Sequence, residues 1–168
     1  GVCGTTLKAG AAICLLAVPA TAEVTVAALG DSLTQGYGLP QGDGFVPQLQ
    51  GWLDAAGADV QVVNAGVSGD TTAGGLSRVD WTLTEDVDAM IVTLGGNDLL
   101  RGIDPEVSRA NLDGILAAAE ASDVEVLLVP MQAPTNYGAE FKTAFDAMYG
   151  DLAQARDVSL ADPFLAPL

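Results

Sequence analysis

Short apolar runs alternate along the chain with longer segments whose apolar residues recur every three to four positions, and glycine-rich polar clusters separate them. Residues 24–29 (VTVAAL) are a β-rich run that stops at Gly30. Residues 45–56 have helical spacing, with Phe45, Leu49, Trp52 and Leu53 on one face. The alternation then repeats. It predicts a strand over 60–63, a weaker helix over 71–83, a strand over 89–94 stopped by Gly95-Gly96, and a helix over 105–121. A strand over 124–129, a helix over 139–155 and a fifth strand starting at 158–160 complete the series. The 105–121 helix is the best specified: Asp104 can cap it, Pro105 suits its first turn, and Val107, Leu112, Ile115 and Leu116 recur helically.

The strands read as near-continuous apolar runs, which predicts a parallel sheet covered on both faces. The expected fold class is therefore α/β: a doubly wound, flavodoxin-like parallel sheet of five strands with helices on both faces, three layers in all. Nothing in the pattern marks a linker, a repeat or a second domain after residue 22. Right-handed crossovers would bring the C-terminal ends of all strands to one edge, where ligands bind in such sheets.

The first 22 residues read differently. Lys8 precedes an apolar run over 11–18 (AAICLLAV), Pro19 breaks it, and Ala20-Thr21-Ala22 forms an A-x-A cleavage signal before Glu23. The expectation is an export leader over 1–22, a domain over 23–168, and a periplasmic or secreted location. The run falls short of the roughly 20 residues of a membrane span, so no stable membrane anchor is expected. Cys3 and Cys14 both lie in the leader. The mature chain would then contain no thiol, disulfide or thiolate metal site.

Composition narrows the function. Hydrophobic residues make up 49% and charged residues 17%, a globular rather than a disordered balance. Twenty-two acidic residues against six basic ones give a formal net charge of -16, which argues against nucleic acid as a partner and against anionic lipid. The absence of histidine excludes His-based metal sites and a His general base within the 168 residues. Asp86-Val87-Asp88 has the look of a D-x-D metal motif, but it precedes its strand and so belongs to the opposite edge. No metal and no cofactor are expected.

Three polar motifs fall on the C-terminal edge. Gly30-Asp31-Ser32-Leu33-Thr34-Gln35-Gly36-Tyr37-Gly38 follows the first strand, Asn64-Ala65-Gly66-Val67-Ser68-Gly69-Asp70-Thr71 the second, and Gly95-Gly96-Asn97-Asp98 the third. Together they offer a hydroxyl nucleophile, a bare glycine amide and a carboxamide NH2. These are the parts needed to attack an acyl carbonyl and hold the oxyanion that forms. Taken singly, Ser32 could cap a helix, Gly69 and Asn97 could be turn residues, and Asp31 could be a phospho-acceptor at a strand end.

G-D-S-L-T-x-G-Y-G, N-x-G-x-S-G-D-T and G-G-N-D, in this order and at these intervals, resemble the SGNH (GDSL) hydrolase family over nearly the whole mature chain. The resemblance is greatest to its exported acyl-CoA thioesterase, lysophospholipase and arylesterase subgroup, to which Asn136-Tyr137-Gly138 adds. It implies a serine esterase or thioesterase that acts on a small acyl ester or thioester through an acyl-serine intermediate. A monomer is expected. Ser32 would be the nucleophile. The amides of Ser32 and Gly69 and the side chain of Asn97 would form the oxyanion hole, and Leu99, Leu100 and Ile103 would line an acyl groove. Ordinary core packing is the alternative for those three. The family's D-x-x-H block, whose histidine is the base and whose aspartate orients it, does not occur in the chain, which reaches Asp162-Pro163 and Leu168 just after the fifth strand. A chain shortened at its C-terminus is the expectation. The alternative is an exported binding module that keeps the cleft without the base. Lys142, the sole lysine after the leader, carries no sequence signal toward the cleft.

Overall fold

A computed structural model describes residues 23–166, and the expected export leader lies outside the described residues. Five strands, β1 (Val24–Gly30), β2 (Val60–Gly66), β3 (Ala89–Thr93), β4 (Glu125–Leu128) and β5 (Ser159–Leu160), form one sheet in the order β2-β1-β3-β4-β5. All four pairings are parallel. This is the doubly wound order read from the sequence, with the reversal of winding between β1 and β3. The register aligns Gly30 with Gly66 on one side and with Thr93 on the other, so the three central strands end level.

The helices are α1 (Ser32–Gln35), α2 (Phe45–Ala55), α3 (Thr72–Thr82), α4 (Gly96–Arg101), α5 (Pro105–Ala121) and α6 (Ala139–Arg156). Asp104 caps α5 through the Glu106 amide, with Pro105 in its first turn, as its sequence predicts. On one face of the sheet, Leu29, Met90, Val92, Leu94 and Leu128 pack with Val79 of α3, Leu112, Ile115 and Leu116 of α5, and Phe145, Met148 and Leu152 of α6. That face is the core. Burying an aliphatic or aromatic side chain of this size stabilises by about 1.5–3 kcal/mol, so these residues dominate the favourable side of folding.

The opposite face is thinner. A trough of about 670 Å3 is lined on this face by Leu49 and Leu53 of α2, Val62, Ile91 and Leu127, and it continues around the N-terminal ends of the strands past Val124. β4 accordingly alternates exposed and buried residues instead of being buried on both sides. Two further local expectations need correction. Trp52 is exposed, because the buried arc of α2 is centred between Leu49 and Val46 and Trp52 lies a quarter-turn away from it. Residues 96–101, for which the pattern predicts no element, are helical. Gly95 enters at φ 120° and Gly102 ends the helix in the left-handed region, and six residues are too few to show a helical period.

Candidate active site

β1 delivers the first motif to the edge, where the chain turns directly into α1. Asp31, not Ser32, is the N-cap: its Oδ1 accepts the Leu33 N–H at 2.9 Å. Ser32 is thereby left at the first helical position with its hydroxyl uncommitted. It is half-buried, and no described residue hydrogen-bonds its Oγ.

The second motif is folded against the first. Val67 N–H donates to the Gly30 carbonyl at 3.0 Å, and Ser68 N–H to Gln35 Oε1 at 2.8 Å. Gly69 has φ 85°, a conformation that favours glycine. This turn leaves the Gly69 N–H without a described acceptor, and the Ser32 N–H is likewise free.

The third motif closes the group. Asn97 Nδ2 donates to Asp31 Oδ2 at 3.1 Å, which uses one of its two N–H bonds. Asp31 is only 2% exposed. Burial pushes its carboxyl above the usual carboxylate range, against the hydrogen bonds from Leu33 and Asn97 that favour the charged form.

Several residues to which the sequence assigned no role hold these loops. Asp98 is fully buried and accepts from Thr72 N at 2.8 Å, Thr72 Oγ1 at 2.6 Å and Ser108 Oγ at 2.9 Å. It thus ties the start of α3, which follows the Gly69 turn, to α4 and α5. Arg78 forks from α3 onto the Gly30 carbonyl (3.0 Å), the Ala65 carbonyl (2.8 Å) and Asp70 Oδ2 (2.6 Å). The guanidinium geometry suits it to bind several acceptors at once. Tyr137 and Tyr149 hydrogen-bond the carbonyls of Leu99 and Leu94, so the segment carrying Asn97 is pinned at both ends. Between them, Phe141 and Phe145 complete a column of rings. The i,i+4 spacing of Phe141, Phe145 and Tyr149 was a readable signal for one helix face, but not for what that face meets.

The remaining expected residues are dispersed. Leu99 is in the core cluster, Leu100 is 81% exposed and Ile103 is half-buried. Lys142 is bound to Asp146 at 2.6 Å and to the Ala133 carbonyl, which occupies its ammonium. Asp88 accepts the Thr25 N–H at 2.8 Å and Asp86 the Thr84 hydroxyl at 2.6 Å, both at the N-terminal edge of the sheet. Chemically, the edge offers a half-buried hydroxyl beside two free backbone donors and one carboxamide N–H. Such a set can hold a developing oxyanion.

Comparison with known proteins identifies the family of the chain. Residues 28–167 match the GDSL-like Lipase/Acylhydrolase family. Esterase TesA of Pseudomonas aeruginosa is 41% identical over 155 residues, which cover 92% of this chain and 77% of that protein. A protein of Escherichia coli K12 named thioesterase 1/protease 1/lysophospholipase L1 is 38% identical over 152 residues, 90% of this chain and 72% of that protein. Among solved structures, the SGNH-hydrolase family esterase AlinE4 superposes with a TM-score of 0.80 at 42% identity, over 83% of this chain and 75% of that one.

Proposed function

The chain belongs to the GDSL-like lipase/acylhydrolase (SGNH) family, and from that premise we propose that it is a serine hydrolase of carboxylic esters and thioesters, with Ser32 as nucleophile. The observation that carries the reading is the hydrogen bond from Asn97 to Asp31, because it fastens the carboxamide of the third motif to the residue preceding the serine. In this reading Ser32 Oγ attacks the acyl carbonyl and its proton passes to a general base. The carbonyl oxygen becomes an oxyanion that accepts from the amides of Ser32 and Gly69 and from the second N–H of Asn97. Collapse expels the alcohol or thiol and leaves an acyl-serine, which water then hydrolyses.

The 168 residues contain no histidine. The reading therefore takes its base from outside them, as a serine hydroxyl is a weak nucleophile without one. The acyl chain lies along Leu100 and Ile103, with Leu99 beneath them. Residues 1–22 serve as an export leader, and the enzyme works as a monomer in the periplasm or outside the cell.

The test is Ser32→Ala in the full natural chain, assayed on a chromogenic aryl ester with circular dichroism recorded alongside. Loss of turnover with an unchanged spectrum supports the assignment. Undiminished turnover removes Ser32 from it.

A further inference from the structure

Cations are scarce in this chain, and nearly all of those described are neutralised. Arg78 is paired with Asp70 at 2.6 Å, Arg109 with Asp151 at 3.5 Å, Lys142 with Asp146 at 2.6 Å, and Arg156 with both Asp113 and Glu120 at 2.9 Å. Arg101 is the exception. Among the described residues it alone of the lysines and arginines has no carboxylate partner, and it stands exposed at the end of α4.

Its position is not arbitrary. Arg101 lies four residues after Asn97, and its Nη2 donates to the Gly69 carbonyl at 2.8 Å. The guanidinium thus sits against the turn whose amide faces the proposed oxyanion. Of its five N–H donors the Gly69 carbonyl takes one. The others face no described acceptor. A net charge of -16 makes the surroundings unfavourable for an anionic substrate, so an unpaired cation at the rim is where such a substrate would be held.

We propose that Arg101 is an anion-recognition residue of this site, through which the site accepts acyl esters or thioesters carrying a carboxylate or phosphate group near the scissile bond. The inference rests on the Ser32 reading and adds a substrate class to it. The planar fork binds two oxygens of such a group while the acyl carbonyl occupies the neighbouring donors.

The test uses three esters in the full natural chain: 4-nitrophenyl hexanoate, which is neutral; mono-4-nitrophenyl adipate, with its carboxylate on the acyl side; and 3-carboxy-4-nitrophenyl hexanoate, with its carboxylate on the leaving group. Arg101→Gln removes the charge, and Arg101→Lys keeps it. The readout is the ratio of kcat/KM for each anionic ester to that for the neutral one.

Arg101→Gln should lower this ratio about fivefold for at least one anionic ester at low salt, as expected for one exposed charge pair. The ester affected tells which side of the scissile bond the anion occupies. The loss should shrink in 0.5 M sodium chloride, where screening is short-ranged, and Arg101→Lys should retain most of the wild-type ratio. A ratio within twofold of wild type for both anionic esters overturns the proposal. So does an equal loss on all three esters, which would make Arg101 a support for the Gly69 turn. If Ser32→Ala hydrolyses the hexanoate as well as wild type, the serine reading itself fails, and the two failures are thereby distinguished.

Discussion

Asn97 and Asp31 are joined by a 3.1 Å hydrogen bond across 66 residues of sequence. The bond sets the carboxamide of one loop against the cap of the helix that begins with Ser32. Because Asp31 is buried and also holds the Leu33 amide, the carboxamide is oriented by a group that has little freedom to move.

Asn97→Ala should therefore remove an oxyanion donor, at about 2.7–4 kcal/mol of transition-state stabilisation. The loss should fall on kcat, because the developing charge exists only in the transition state. Steady-state kinetics on an aryl ester decides it, and a change confined to KM contradicts the role.

Asp31 should leave a signature in pH. Its folded carboxyl is shifted upward from 3.8, so its protonated form is favoured by folding. Its contribution to stability is fully present below pH 3.8 and is lost as pH rises through the folded value. Thermal unfolding of wild type and Asp31→Asn from pH 3 to 7 should show the wild type losing ground to the variant over that rise. A constant difference contradicts the shift.

The Asp98 network should be costly to break. Ser108→Ala removes one of three donors to a fully buried carboxylate, and hydrogen bonds to charged groups are worth about 1.5–3 kcal/mol. Asp98→Ala, which leaves Thr72 and Ser108 unsatisfied, should lose more. Urea titrations of both variants measure this, and a loss below about 0.5 kcal/mol for Ser108→Ala would show that water replaces the bond.

Gly95 combines φ 120° with a Cβ position occupied by the Tyr149 hydroxyl and 3.3 Å from the Phe145 ring. Gly95→Ala should destabilise by at least about 2 kcal/mol, from backbone strain and overpacking together. Tyr149→Phe alone should lose about 1 kcal/mol with its bond to the Leu94 carbonyl. Combined, the two should be less than additive, because removing the hydroxyl makes room for the methyl group. Strict additivity would place the clash elsewhere.

Much of the fold was legible because its signals are local. β1 and β3 stand out as apolar runs stopped by Gly30 and Gly95-Gly96, and α5 carries its own cap and proline; β2 reads as a strand only over 60–63 and runs on through Asn64-Ala65-Gly66 because these pair with β1. Alternation of strand and helix then restricts the sheet to parallel order by the handedness of crossovers. Helix α4 escaped because one and a half turns leave no period to read. The exposure of Trp52 escaped because the sheet, not the helix, decides which part of an apolar stripe is covered.

The amino-acid sequence by itself determined the element order, the edge on which the three motifs gather and the residue types they present there, since chain direction in a parallel sheet follows from connectivity alone. Only the tertiary structure decided that Asn97 holds Asp31 across 66 residues, that Asp98 binds Thr72 across 26 and Tyr149 the Leu94 carbonyl across 55, and that Arg101, without a carboxylate partner among the described residues, binds the Gly69 carbonyl across 32. Contacts of such separation have no period and no local propensity. They exist because packing brings together groups that must satisfy their hydrogen bonds once water is excluded.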